Sequence, residues 1–269
     1  MNPRTNGSMN QILVTCLLMI CLSIDGCGDS QETEVPRELL IYCGITMIRP
    51  MSDIAAIIEE QEDCKIIITK GGSGNLLKSL RANQVGDLYL PGSDSYIVTC
   101  LDEGLIAAES DTVFVGHNKA AMMVPKGNPK GITADLDNLT REDLYVVIGN
   151  PNSGSIGKET KKVLERKGIF EAVQQNARSL TTDSKDLFLT LKHEEADLVV
   201  NWFAVSTWPE NEPYLDVLAI DERYAHKQRL VLGLLKTSKY PGIARKFMQY
   251  AASDEGKALF SKYGLYNVI

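Results

Sequence analysis

One stretch constrains this chain more than any other: Ile66-Ile67-Ile68-Thr69, then Gly71-Gly72-Ser73-Gly74-Asn75-Leu76-Leu77-Lys78-Ser79-Leu80. The β-branched run reads as a buried parallel strand, and the Gly/Ser turn after it passes straight into a helical pattern. A strand, a turn of small residues and a helix start present free backbone N–H groups, with the positive end of the helix dipole behind them. That combination receives anions. The chain repeats it at Gly44-Ile45-Thr46, at Asn152-Ser153-Gly154-Ser155-Ile156-Gly157 and at Thr181-Thr182-Asp183-Ser184. Any one of these is an ordinary tight turn with a capping hydroxyl. Four at the same end of successive strand–helix units point to capture of a small oxyanion.

The pattern around these turns alternates. Strands are expected at 39–43, 66–69, 87–90, 144–148 and 197–202, and helices from Pro50, over 75–82, near 94–103, and over 158–167 and 184–193. Apolar runs at 112–115 and 120–125 lead into a Gly/Pro loop at 126–132. Strands at 214–219 and 229–235 precede two closing helices, 241–251 and 254–262, the last capped by Ser253. Strands alternating with helices mean an α/β fold with mostly parallel sheets, in which ligands bind beyond the carboxyl ends of the strands. With 269 residues there is room for two lobes. The chain is expected to cross between them twice, with 38–118 and 223–269 forming the first lobe and 119–222 the second.

Chemistry narrows further by what is missing. The third turn is not a phosphate loop, because Asn152 stands where the first glycine belongs and Glu159 follows Lys158 where Ser or Thr is required. Ser73 is not a nucleophile elbow, since Asn75 occupies the second glycine position. His117, His193 and His226 are scattered, so neither a metal site nor an activated serine is expected. A phosphate-ester hydrolase using Asp183 or Glu159 with a cleft serine is the reading from another class, but no base–nucleophile pair supports it. The chain is read as a non-enzyme without a cofactor. Its net charge of −7, without a Lys/Arg stripe among aromatics, argues against nucleic acid.

Residues 1–26 read as a leader: Arg4, an apolar stretch from Ile12 to Leu22 too short to span a bilayer, and Ile24-Asp25-Gly26-Cys27. The last four resemble a bacterial lipoprotein cleavage box with Cys27 as the lipidated residue, although Asp25 departs from it; an ordinary secretory signal is the alternative. Residues 27–37 read as a polar tether. Cys43, Cys64 and Cys100 then remain, as buried thiols or as one pair.

These residues together resemble the type II periplasmic substrate-binding proteins of ABC transporters, most closely the molybdate-binding branch. The likeness covers 38–266. It rests on Tyr42-Cys43-Gly44-Ile45-Thr46, the Gly-Gly-Ser-Gly loop with Gly86-Asp87-Leu88-Tyr89-Leu90, Gly127-Asn128-Pro129, Ile148-Gly149-Asn150-Pro151 and the ending Ser253–Gly264. The resemblance implies a two-lobed fold with the ligand in the cleft, captured by hinge closure and passed to a permease. A monomer in the periplasm or cell envelope is expected, anchored to the membrane by lipid if Cys27 is the lipidated residue. The implied contacts are Thr46, Gly72 and Ser73 from the first lobe, and Ser155, Ile156, Ser184, Lys185, Asn201 and Trp202 from the second. Asn201-Trp202 stand where that branch carries a tyrosine donor, and Arg49 adds a possible charged contact. The implied ligand is molybdate or tungstate, with phosphate, sulfate or a small carboxylate or phosphate metabolite as alternatives.

Overall fold

The structure, a computed structural model, describes residues 37–265. The leader, Cys27 and nearly all of the expected tether lie outside them; Arg37, read as tether, is the first residue of β1 (Arg37–Gly44). Ten strands form two sheets of five. The first combines β1, β2 (Cys64–Gly71), β3 (Leu88–Leu90), β4 (Thr112–Asn118) and β10 (Gln228–Leu234) in the order β2-β1-β3-β10-β4. The second combines β5 (Ala120–Pro125), β6 (Val146–Gly149), β7 (Ser179–Thr181), β8 (Leu198–Trp202) and β9 (Leu215–Leu218) in the order β7-β6-β8-β5-β9. In each, three neighbouring strands are parallel and one strand, β10 or β5, runs against both its neighbours. Four of five strands in each sheet therefore share a direction, so the mostly parallel, two-lobed α/β reading holds.

Alternation along the strands explains the layering. Ile41 and Cys43 of β1 and Leu88 and Leu90 of β3 point to one face, where α1 (Ile48–Glu62) and the closing helices α7 (Pro241–Ala252) and α8 (Asp254–Lys262) cover them with Met51, Ile54, Phe247 and Phe260. Tyr42 and Tyr89, one residue out of step, point to the other face, against Leu76, Leu77 and Leu80 of α2 (Ser73–Asn83) and Ile97 of α3 (Ser95–Asp102). Each such side chain, fully buried, contributes roughly 1.5–3 kcal/mol. Buried Asp87 ties the layers: it accepts from Leu40 N–H, Ser238 Oγ and Lys239 N–H. Ser253 caps α8 as expected, accepting from Gly256 N–H at 3.1 Å. Cys43, Cys64 and Cys100 are all free thiols, and burial pushes Cys100 up to about 12.

The second sheet is covered by α4 (Ser155–Lys167), α5 (Phe170–Asn176) and α6 (Ser184–Lys192). Both α5 and β7 are absent from the sequence reading. Seven and three residues long, they are shorter than a periodicity can register. Helix α4 carries an ionisable group inside the lobe. Glu159 is 2% exposed, its Oε1 has no hydrogen-bond partner, and burial raises its pKa to about 7 although Arg166 stands 3.5 Å away. A raised carboxyl pKa favours folding at low pH, and that contribution is lost as pH rises from the unfolded value near 4.5 to about 7. Glu159→Gln is therefore expected to stabilise the protein at pH 7.5 by about 1–3 kcal/mol and to flatten the fall in melting temperature between pH 5 and 7. A scanning calorimetry series in that range checks it; an unchanged pH profile would refute the assignment. Glu159 lies away from the cavity described below, so the hydrolase reading loses that residue.

Candidate ligand-binding site

Three parallel strands end together in each sheet, and the two sets of carboxyl ends face a shared cavity. Thr46 arrives on the turn after β1, Gly72 and Ser73 after β2, and Gly92 after β3. Ser155 and Ile156 follow β6, Asp183 and Ser184 follow β7, and Trp202 ends β8. Measured to the centre of a water-sized sphere the cavity is about 10 Å³, which corresponds to a hole roughly 2.7 Å in radius. That is the scale of one small ion.

Helix starts supply the donors. The N-caps of α2 and α4 are Gly72 and Gly154, which have no side chain to occupy the first N–H groups. Among the described residues, Ser73, Gly74, Ser155, Ile156 and Gly157 N–H find no acceptor. Helix α6 differs. Its N-cap Asp183 folds back so that Oδ1 accepts from Lys185 N–H at 2.8 Å and Asp186 N–H at 3.2 Å. Only the N–H and hydroxyl of Ser184 remain free there. Burial raises the Asp183 pKa, against the two N–H bonds that lower it.

The hydroxyls are themselves positioned. Ser73 Oγ accepts from Gly92 N–H at 3.0 Å, and Ser155 Oγ from Trp202 Nε1 at 3.4 Å. Thr46 Oγ1 accepts from Asn118 Nδ2 at 3.4 Å. All three serines and Thr46 are buried.

Seven of the ten residues named from sequence line this cavity: Thr46, Gly72, Ser73, Ser155, Ile156, Ser184 and Trp202. Asn201 does not. Its amide is consumed inside the lobe, donating to Ser184 C=O at 2.9 Å and accepting from Trp202 N–H at 2.8 Å, so it braces the start of α6 against β8. Lys185 and Arg49 line a separate, larger recess of about 370 Å³ with Lys70, Phe188 and Trp208. There Arg49 pairs with Glu210 and stacks 4.8 Å over Trp208, which satisfies its charge outside the cavity. Sequence reasoning missed Gly92, although it follows strand β3 by the rule that found the others. Asn118 carried no signal, because it ends a strand of the first sheet far in sequence from the turns it touches.

The lobes meet at backbone distance. Asn75 N–H on α2 donates to Ser153 C=O of the second lobe at 3.1 Å. A Cβ on Gly74 would lie 2.8 Å from that same carbonyl oxygen, and one on Gly92 only 2.3 Å from Ser155 Oγ. Lys158 of α4 lies 3.9 Å over the ring of Tyr96 on α3. The two crossings run together, with Asn118 paired to Gln228 and Lys119 Nζ 3.1 Å from Glu222.

Two α/β lobes joined by two crossings, closed over an ion-sized pocket of hydroxyl and N–H donors, define a solute-binding protein. The chain belongs to the bacterial extracellular solute-binding protein family, whose description matches residues 39–266. A relative from Bacillus subtilis, YvgL, with the provisional name ABC transporter substrate-binding lipoprotein, is 24% identical over 90% of this chain and 93% of its own. The periplasmic molybdate-binding protein of Azotobacter vinelandii superposes with a TM-score of 0.73 at 13% identity, over 84% of this chain and 98% of that one. The PEB3 protein of Campylobacter jejuni, solved with L-phospholactate, superposes with a TM-score of 0.68 at 19% identity, over 85% and 99%. At those identities the two structures share the fold.

Proposed function

We propose that this protein is the extracytoplasmic receptor of an ABC importer and that it captures a tetrahedral oxyanion, with molybdate or tungstate as the preferred ligand. The observation that carries this reading is the cavity itself, an ion-sized space ringed by Thr46, Ser73, Ser155 and Ser184 and by the free N–H groups of two helix starts. Such a set is rich in donors, which suits an ion that offers acceptors only. In the closed form Ser73 and Thr46 hold one side of the ion and Ser155, Ile156 and Ser184 the other, so binding favours closure. The lobes are taken as 38–118 with 223–269, and 119–222. The name of the Bacillus subtilis relative supports a permease partner and a lipid anchor at Cys27, and with it a location at the membrane surface of the cell envelope.

Asp183 favours a second reading. It lines the cavity and one carboxylate oxygen, Oδ2, has no partner, so it could accept the proton that hydrogen phosphate keeps at neutral pH. A thermal-shift screen of wild type and Asp183→Asn against molybdate, tungstate, sulfate, phosphate and citrate separates the two. An ion at a thousandfold its dissociation constant adds about 4 kcal/mol, or roughly 10 °C for a chain of this size. Molybdate and tungstate are expected to stabilise both forms, Asp183→Asn at least as strongly, since the substitution removes a negative charge from beside the ion. Stabilisation by phosphate alone, abolished in Asp183→Asn, would replace the first reading with the second. No response to any oxyanion would end both.

A further inference from the structure

Asn118 closes β4 where the chain leaves the first lobe, and it is fully buried. Its Nδ2 lies 3.4 Å from Gly92 C=O, 3.4 Å from Thr46 Oγ1 and 3.8 Å from Met47 Sδ. A carbonyl oxygen can only accept, so the nitrogen end of the amide must face Gly92, and the Thr46 hydroxyl beside that nitrogen must accept from it. A hydroxyl whose lone pair is filled in this way keeps its own proton to donate. That proton rests against Met47 Sδ at 2.9 Å, and a thioether is a weak acceptor that an oxyanion outcompetes. Gly92, whose carbonyl accepts from Asn118, donates its own N–H to Ser73 Oγ, so that hydroxyl also has a donor beside it.

We propose that Asn118 is a positioning residue that keeps the Thr46 proton available to the ion, so that the first lobe meets the ligand with a donor. It does so by donating to Thr46 Oγ1, so that the hydroxyl cannot spend its proton on the amide. The inference rests on the oxyanion reading above and sharpens its ligand class. On the first lobe's side of the cavity a protonated oxygen meets the Thr46 proton rather than an acceptor, so that half favours fully deprotonated tetrahedral dianions. The acceptor left to a protonated ion is Asp183 Oδ2 on the second lobe. Asn118 contacts Thr46 directly and Ser73 only by way of Gly92, so a residue outside the cavity wall orients a hydroxyl in the wall. Among the described residues its Oδ1 has no partner, so burying this amide costs the fold.

Two variants test this. In Asn118→Asp the carboxylate accepts the Thr46 proton and turns that hydroxyl into an acceptor. In Asn118→Leu the orienting donor is removed without a new acceptor. Full-length protein is titrated calorimetrically at pH 7.5 with molybdate and, separately, with inorganic phosphate. Asn118→Asp is expected to weaken molybdate at least 30-fold while phosphate is unchanged or tighter, so the molybdate-to-phosphate ratio falls by more than the loss of either ion alone could explain. Asn118→Leu, which removes an unpartnered buried oxygen, is expected to melt within 3 °C of wild type and to weaken molybdate at least fivefold. Equal weakening of both ions in Asn118→Asp, or full molybdate affinity in a folded Asn118→Leu, would overturn the proposal while leaving the oxyanion site standing. Failure of wild type to bind either ion would overturn the site reading as well.

Discussion

Gly74→Ala is expected to weaken ligand binding by about ten- to 100-fold while the melting temperature of the ligand-free protein stays level or rises. Gly74 is the second residue of α2, where alanine is intrinsically a better helix former than glycine by about 0.5–1 kcal/mol. The lobe itself therefore gains. The cleft does not, because the added Cβ would sit 2.8 Å from Ser153 C=O, a backbone atom of the opposite lobe. Relieving that contact opens the interface and strains the Asn75 N–H to Ser153 C=O bond. Overpacking of this kind costs about 1–3 kcal/mol, all of it charged to the closed form. Gly242→Ala is the matched control. It is also the second residue of a helix, α7, but nothing lies within 4 Å of its added Cβ, so affinity should be untouched. Calorimetric titration of both variants, with small-angle scattering to read lobe closure, decides the matter; equal affinities for the two would mean that the lobes do not close to backbone contact.

The double substitution Thr46→Ala with Ser73→Ala should cost more. In the proposed site each hydroxyl would give the ion one charge-assisted hydrogen bond worth roughly 1.5–3 kcal/mol, so removing both is expected to lower affinity by about 10²- to 10⁴-fold. The first lobe should stay folded. Tyr89 OH bonds the backbone carbonyl of Ser73, which the substitution keeps; Gly92 N–H loses its partner, and Asn118 Nδ2 loses one acceptor but keeps Gly92 C=O. Molybdate titrations check the loss and circular dichroism the fold. A folded double variant within tenfold of wild type would move the ion elsewhere, and the recess beside Lys70 and Lys185 would be the next place to look.

Much of this protein was legible before any coordinates. Strand–turn–helix periodicity placed most of the strands, and small residues at strand ends together with the family resemblance named seven residues that line one cavity. The ends of elements were read less well. The Gly71–Gly74 turn was expected to run to Asn75, yet α2 begins at Ser73, because Gly72 takes extended backbone angles and serves as the N-cap. Lys185 was read as a donor from the start of α6, and its N–H is instead spent on the side chain of Asp183. Arg49 looked like a ligand contact only until its partners Glu210 and Trp208 were seen.

The division has a physical cause. Local signals in the chain determine which backbone groups are left unpaired at helix starts, since glycine and hydroxyl residues act on their own neighbourhood. That alone determined that this chain carries several turns with unpaired donors at one end of mostly parallel sheets. What those turns are used for depends on which hydroxyl faces which donor across tens of residues, as Asn118 does with Thr46 and Trp202 with Ser155. It depends as well on how closely two backbones approach, as at Gly74 and Ser153. Those are distances between segments remote in sequence, and only the packed tertiary structure decided them.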